Sequence, residues 1–444
     1  MTNSPPDELN DLALRLGGEA RTSGFRPDAP NRDNQQDHAV RSLPTYGPFA
    51  VVLAALPFFD GYYGEDRDRI ATSWAYAATA DGELDGLWAD FWDRLRAPVW
   101  TYTAVANLLN FDCESDVVPL TDGLEIRLRS FRDLSEILGW SRAQLQNTLG
   151  SDFFAGFGAG RFVVVFQATV AKAPENLVLA NTGNEVLAVR RLLQALRLVA
   201  PGDVNVGRLF NGRVRPVVPD LGTMSSGWTS ADRGPGAAYV LPQDYIPDLR
   251  AVYELSKRFE DRAAAYPQIS TALGRLFAVY DRALWSLPDR IVDDFVGLEA
   301  LVGSNDELAF KVAMRVSGLL AESDPDRLAA FRRMKSFYDT RSKIVHGGAL
   351  KPKHLADLQA EPELRGFLRQ LLLGFLRLTE GLPQWQPRGK FADEQLDEIL
   401  LDTKRRAALR EAMGALPARA MTVASGQGQI ALWADEDPTR IAAP

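Results

Sequence analysis

The chain has 444 residues, of which 46% are hydrophobic and 24% charged, and its formal net charge is −8. That length exceeds one ordinary core, and the composition is that of a globular protein with two domains. No stretch approaches the ~18 consecutive apolar residues of a membrane-spanning helix, and a negative molecule does not condense as a whole onto nucleic acid.

The opening Met1-Thr-Asn-Ser-Pro-Pro-Asp7 carries none of the basic and apolar pattern of a secretion signal. Cys113 is the only cysteine, which excludes an intrachain disulfide and a Cys-based zinc site. It reads as a small core residue in preference to a thiolate nucleophile. A cytoplasmic location is expected.

Residues 1 to 45 are rich in Asn, Asp, Pro, Arg and Gly and read as a flexible or loosely attached tail, with His38 solvated in it. Much of the aromatic content follows between residues 46 and 110. There Leu84, Leu87, Trp88, Phe91, Trp92 and Leu95 recur at helical spacing, so the rings are expected in a core and not on a base-stacking platform. Asp81-Gly-Glu-Leu-Asp85 lacks the ligand spacing and closing Glu of a calcium loop and is rejected as one.

Leu124-Glu-Ile-Arg-Leu-Arg129 alternates apolar and charged residues, the pattern of a half-buried strand. Ser141-Arg-Ala-Gln144 has the form of a capping box. Arg161-Phe-Val-Val-Val-Phe166 is a second, more buried strand. Glycines 156, 158 and 160 precede it, on the wrong side for a nucleotide cradle, which needs the strand first. Val186, Val189, Leu192, Leu193, Leu196 and Val199 line an amphipathic helix that Pro201-Gly202 stops. Residues 201 to 247 hold short Val-containing segments among Gly, Pro and Ser, expected as short strands before a boundary near Gln243.

From Tyr245 the texture turns helical. Leu273, Leu276, Phe277, Tyr280, Leu284 and Leu287 mark one apolar face; Ile291, Phe295, Leu298 and Val302 mark the next, begun after Pro288. Ser304-Asn-Asp-Glu307 has capping-box form, and Leu308, Val312, Val316, Leu319 and Leu320 follow on one side. Asp324-Pro325 opens a further helix, and Leu364, Phe367, Leu368, Leu371, Leu372, Phe375 and Leu378 mark another. Short links between such helices describe a bundle. The expected fold class is α+β: a flexible tail (1–45), a mixed domain (46–243), an all-α domain (244–415) and a C-terminal tail (416–444).

The chemistry concentrates in Tyr338-Asp-Thr-Arg341-Ser-Lys-Ile-Val-His346-Gly-Gly348. Histidine occurs three times, at 38, 346 and 354, and imidazole is the side chain that titrates near neutrality. From Arg327 to Lys353 there are eight Lys or Arg against one acid, Asp339, a local +7 that reads either as a solvated face or as a phosphate-attracting patch. Arg341 and His346 are about 140° apart on a helix at ~100° per residue, so they share a site only where the helix ends between them. Gly347-Gly348 favours such an end through a left-handed cap, and a cation is favoured beside the last carbonyls. An imidazole can move the 2′-hydroxyl or leaving-group proton while a guanidinium holds the phosphate, without a metal. The bland alternative is a capping His beside an Arg paired to Asp339 or Glu299.

The segment from about Tyr245 to Leu378 resembles the HEPN superfamily, in particular the Apea-like HEPN domains of bacterial defence proteins. The resemblance is carried by Asp289-Arg290, Gly297-Leu-Glu299-Ala-Leu301, the Lys311-to-Leu320 helix and, most specifically, Tyr338-x-x-Arg341-Ser342-x-x-x-His346-Gly347-Gly348. It implies a HEPN-type helical bundle that forms a homodimer, with two Arg-x4-His pairs in one cleft that cuts RNA without metal or other cofactor. Arg341 and His346 are then the catalytic pair, Ser342 and Tyr338 support them, and Lys343, Lys351 and Lys353 contact nucleic acid. Nuclease-active HEPN proteins often carry Asn, Asp or His after the Arg; this chain has Ser342, which can still donate to phosphate or orient the His. The implied role is an anti-phage, abortive-infection effector with a phage-derived trigger sensed by the N-terminal domain. The alternative is an inactive HEPN module that binds RNA, a nucleotide or a partner protein. Gly150-Ser151 offers half of a nucleotidyltransferase entry motif, but no Asp-x-Asp follows, and that activity is set aside.

Overall fold

The computed structural model describes residues 5–23, 34–56, 64–79, 82–121, 123–128, 162–171, 184–211, 238–281, 286–304, 306–380 and 395–414. It divides into two compact units, Met1–Leu193 with Gly202–Arg250, and Gln194–Pro201 with Ala251–Pro444. The architecture is α+β, and no described helix is long and apolar enough to cross a membrane.

The first unit opens with α1 (Asp7–Thr22), α2 (Asn34–Arg41), α3 (Tyr46–Ala54), α4 (Gly64–Ala77) and α5 (Leu84–Arg96). The expected flexible tail is therefore corrected. In α1, Leu9, Ala13, Leu16 and Ala20 make a buried stripe at helical spacing, and the Trp74 indole N–H donates to the Ala13 carbonyl at 2.8 Å. His38 is exposed on α2, as expected. Phe49, Trp74, Trp88 and Phe91 interlock with ring centroids 4.9 to 5.9 Å apart. These aromatics are core.

Strands β1 (Val99–Leu109), β2 (Phe111–Cys113), β3 (Val117–Thr121), β4 (Leu124–Leu128) and β5 (Phe162–Ala171) follow, then α6 (Asn184–Val199), β6 (Asn205–Asn211) and β7 (Tyr239–Leu241). Five of them form an antiparallel sheet in the order β3-β4-β5-β1-β6, and β2 pairs in parallel with β7. The expected strands appear as β4 and β5, the latter running on to Ala171. Strand β1 shows no alternation because Thr103 to Leu108 are all buried, as both faces of a central strand can be. The capping-box form at Ser141, Gly150-Ser151 and glycines 156, 158 and 160 lie outside the described residues.

The described part of the second unit is helical. It comprises the end of α6 from Gln194, most of α7 (Ile246–Glu260), then α8 (Pro267–Asp281), α9 (Leu287–Val302), α10 (Leu308–Leu320), α11 (Asp324–Val345), α12 (Pro352–Gln359), α13 (Glu361–Leu378), α14 (Asp397–Leu401) and α15 (Thr403–Ala412). Helix α13 is central and packs against α8, α9, α10, α12 and α15. Its leucines are buried around the whole circumference, which only an enclosed helix tolerates. On α9, a Cβ at Gly297 would stand 2.9 Å from Leu368 Cδ2, so the glycine lets α13 approach closely. The capping-box form at Ser304 is not realised: Glu307 caps α10 in a left-handed conformation, and Ser304 Oγ serves a turn with Asp306 instead.

Charge inside this unit is paired. Arg315, fully buried, forks onto Asp397 at 2.6 and 2.9 Å and also donates to the carbonyls of Val302 and Gly303 at the end of α9. Asp294 is the exception: it is fully buried, and neither of its oxygens accepts a hydrogen bond among the described residues. Burial pushes its carboxyl well above the ordinary range, and the charge of Glu361 pushes it further against the pull of Arg365. Glu361 Oε1 is held by Arg365 while its Oε2 has no donor. In its protonated form the Asp294 carboxyl is itself a donor for its neighbour Glu361.

The folded chain thus retains a proton that an unfolded Asp releases above ~3.9. The associated stability is complete below that value and is lost as pH rises through the raised one. Asp294→Asn supplies an N–H donor at every pH. Urea unfolding followed by Trp fluorescence between about pH 5 and pH 8 is expected to show a shallower loss of stability in the variant, by up to about 1.4 kcal/mol per pH unit at the steepest point. Equal slopes in both proteins would mean that Asp294 is ionised.

Candidate functional site

The candidate residues sit on the last turns of α11 and the link to α12. Ser323 caps α11 by accepting from the Asp326 N–H at 3.2 Å, with Pro325 in the first turn, as the sequence leads one to expect. Ala330, Met334, Phe337 and Thr340 form the buried stripe. The same face is tied to α12: Ser336 and Thr340 donate to Asp357 Oδ2 at 2.9 and 2.7 Å, and Arg333 donates to Asp357 Oδ1.

Arg341 turns toward α9. Its Nη2 lies 3.4 Å from Glu299 Oε1 and 3.5 Å from Oε2, with both side chains about one-fifth exposed (20% and 19%). Of the two acids weighed as partners, Glu299 is the one found; Asp339 is held by Lys353 and His354. Burial raises the Glu299 carboxyl and the Arg341 charge draws it back down. The pair is loose, and Arg341 Nε makes no hydrogen bond among the described residues. Tyr338 lies beside the guanidinium, its ring centroid 5.6 Å from Arg341 Cζ, and packs at right angles against Phe295.

The helix ends as its glycines imply. His346 is the C-cap, and Gly347 takes the left-handed conformation at φ +65°. Gly348 N–H donates to the Lys343 carbonyl at 2.8 Å and Gly347 N–H to the Ile344 carbonyl at 3.2 Å. This is a Schellman cap. The His346 N–H still bonds to the Ser342 carbonyl at 3.1 Å, so its side chain leaves from the last turn and is exposed. Arg341 thus faces a carboxylate inside the unit while His346 faces solvent at the helix end. No hydrogen bond joins them among the described residues.

The basic run is largely answered by acids. Arg327 pairs with Asp324, Arg333 with Asp357 and Glu363, Arg341 with Glu299, and Lys353 with Asp339 at 2.7 Å. The bonds from Lys353 and then His354 hold the Asp339 carboxyl below its ordinary range. Arg332, Lys335, Lys343 and Lys351 are exposed with no carboxylate partner among the described residues. Arg332, Lys335, Ser342 and His346 follow one stripe of α11, so a smaller positive track leads to the cap.

Two participants were not singled out from the sequence, Asp357 and His354. Pro352 after Lys351 was a signal for the start of α12, which places His354 at its third position, where a side chain can reach back to the N-cap. Compared with models of known protein families, with curated proteins and with solved structures, the chain matches none.

The cap carries a direct test. A Cβ at Gly347 would meet nothing within 4 Å, so any penalty for a side chain there is conformational and not steric crowding. Gly347→Ala is expected to cost about 1 kcal/mol of unfolding free energy and Gly347→Asn less, since Asn tolerates this conformation. Urea unfolding measures both. An alanine variant as stable as wild type would show that the cap does not hold in solution.

Proposed function

We propose that the chain is a metal-independent endoribonuclease of HEPN type, with Arg341 and His346 as its catalytic pair in a homodimer. The observation that carries this reading is the end of α11. A glycine cap presents an exposed imidazole one turn beyond a guanidinium that Glu299 holds only loosely, through Nη2.

In the proposed reaction the RNA 2′-oxygen attacks the adjacent phosphorus as its proton is taken up, and the bond from phosphorus to the 5′-oxygen breaks. The leaving 5′-oxygen receives a proton, and the products are a 2′,3′-cyclic phosphate and a 5′-hydroxyl. His346 performs one of these proton transfers, and the His346 of a second copy is suited to the other. Arg341 supports the charge that builds on the phosphate oxygens. Ser342 and Tyr338 flank the guanidinium, Lys343 and Lys351 draw in the RNA backbone, and Lys353 acts mainly through its bond to Asp339. On the same resemblance the protein serves anti-phage defence in the cytoplasm, with the N-terminal unit responding to a phage component.

A second reading is a catalytically silent RNA-binding module. The turning of Arg341 toward Glu299 favours it, because a phosphate must then compete with a carboxylate.

Incubation of the purified protein with a mixed RNA pool in EDTA, beside His346→Ala, distinguishes the two. Wild type is expected to leave cyclic-phosphate ends, and the variant to be slower by on the order of 10²-fold or more. Because the His346 side chain is exposed, the variant should melt with the wild type. Equal cleavage by both overturns the catalytic assignment. No cleavage by either, with salt-sensitive binding that needs Lys343 and Lys351, supports the second reading.

A further inference from the structure

We propose that His354 is a positioning residue: its buried ring fixes the short link that carries His346, acting as an internal acceptor for that link's last backbone N–H. This rests on the ribonuclease reading for its functional consequence, and on geometry alone for the positioning itself.

The His354 side chain is 1% exposed. Its Nδ1 accepts the Lys351 N–H at 3.0 Å, while its own backbone N–H donates to the Lys351 carbonyl at 2.9 Å. A ring nitrogen that accepts carries no proton, so the hydrogen resides on Nε2. Nε2 lies 3.2 Å from Asp339 Oδ2 and donates to it. The same oxygen receives the Lys353 ammonium at 2.7 Å. Asp339 stands seven residues before His346 on α11, two turns back along the helix. The ring therefore bridges the body of α11 to the chain that leaves its end.

The consequence follows from counting the restraints on the link. Gly347 and Gly348 are tied back to Ile344 and Lys343, and Lys351 is tied to His354. Only Ala349 and Leu350 lie between these two anchors. A loop of several glycines and exposed residues is otherwise free to reorient. Here both ends are bonded, and His346 sits immediately beside the first anchor. The ring is buried, so its Nδ1 without the Lys351 N–H would be an unmet polar atom inside the unit, which is costly. Imidazole is suited to this position because it presents an acceptor and a donor on opposite edges of one planar ring. The acceptor meets the link and the donor meets the helix.

Two substitutions separate these edges. In His354→Asn, Oδ1 takes the place of Nδ1 and keeps the acceptor for Lys351. In His354→Leu, a side chain of similar bulk offers no acceptor and no donor. Asp339→Ala, on a half-exposed residue, releases Nε2 without entering the core. It keeps the test decisive if a His354 variant does not fold.

The first readout does not depend on activity. Amide hydrogen exchange at Lys351 and the ring C–H signal of His346 are followed in the full chain. With only three histidines, that signal is assigned by single substitutions. Exchange at Lys351 is expected to quicken in His354→Leu and Asp339→Ala and to stay slow in His354→Asn, with the His346 signal shifting in step. Unchanged Lys351 exchange in the Leu and Ala variants overturns the positioning role. The second readout is RNA cleavage by the same proteins. His354→Leu is expected to lose on the order of 10²-fold in kcat at little change in KM, and Asn to restore most of it. If wild type cuts and His354→Leu cuts equally well, the functional consequence falls. If wild type cuts no RNA, the ribonuclease reading falls, and the exchange data alone decide whether His354 positions the link.

Discussion

One buried carboxylate gives the end of α11 its geometry. Asp357 accepts from Arg333, Ser336 and Thr340, three side chains spaced three and four residues apart on a single face of α11. A hydrogen bond to a charged acceptor contributes roughly 1.5–3 kcal/mol, and removing the acceptor strands every donor at once. Helix α12 has eight residues, too few to be stable as an isolated helix. Its place is therefore set by docking and not by its own propensity. Once it is docked, the chain between the helices is short and its course constrained. The Schellman cap and the His354 ring then define what remains.

The same pairing changes what the basic run can do. Counted along the sequence, eight positive charges gather within 27 residues, Arg327 to Lys353. In the folded chain four of them lie against carboxylates, three of which, on Glu299, Asp357 and Glu363, come from outside α11. A pair of this kind has little field left at the ~8 Å over which exposed charges act at physiological salt. The attraction for a polyanion falls to Arg332, Lys335, Lys343 and Lys351, which face water.

Patterns within a single helix were legible in the sequence; contacts between helices were not. The apolar faces of α5, α6, α8 to α10 and α13 stood out because each recurs every three to four residues, and the end of α11 was announced by two glycines. The run of acids and amides around α1 masked its stripe, in which three of the five buried residues, Ala13, Gly17 and Ala20, are too small to weigh on composition. Strand β1 offered no period of two because both its faces are covered. Ser304 had the right neighbours for a capping box, but the left-handed Glu307 broke the geometry that the motif assumes. Asp357 had no signal of its own, since its partners on α11 lie 17 to 24 residues away in the chain.

The contrast between two arginines of the helical unit bears on what Arg341 is for. Arg315 lies within 2.6 to 3.0 Å of four acceptors and is fully buried, the arrangement of a guanidinium that holds structure together. Arg341 reaches one carboxylate at 3.4 Å, and its buried Nε–H has no hydrogen-bond partner among the described residues. Burial raises Glu299 even with that cation beside it, so the attraction of the loose pair does not fully offset the loss of water around the carboxylate. An anion arriving from solvent offers short, forked, charge-assisted bonds in place of a weak contact. Glu299 meets the guanidinium through Nη2 alone, so a phosphate reaching Arg341 would compete with one long contact and not with a closed fork like that of Arg315.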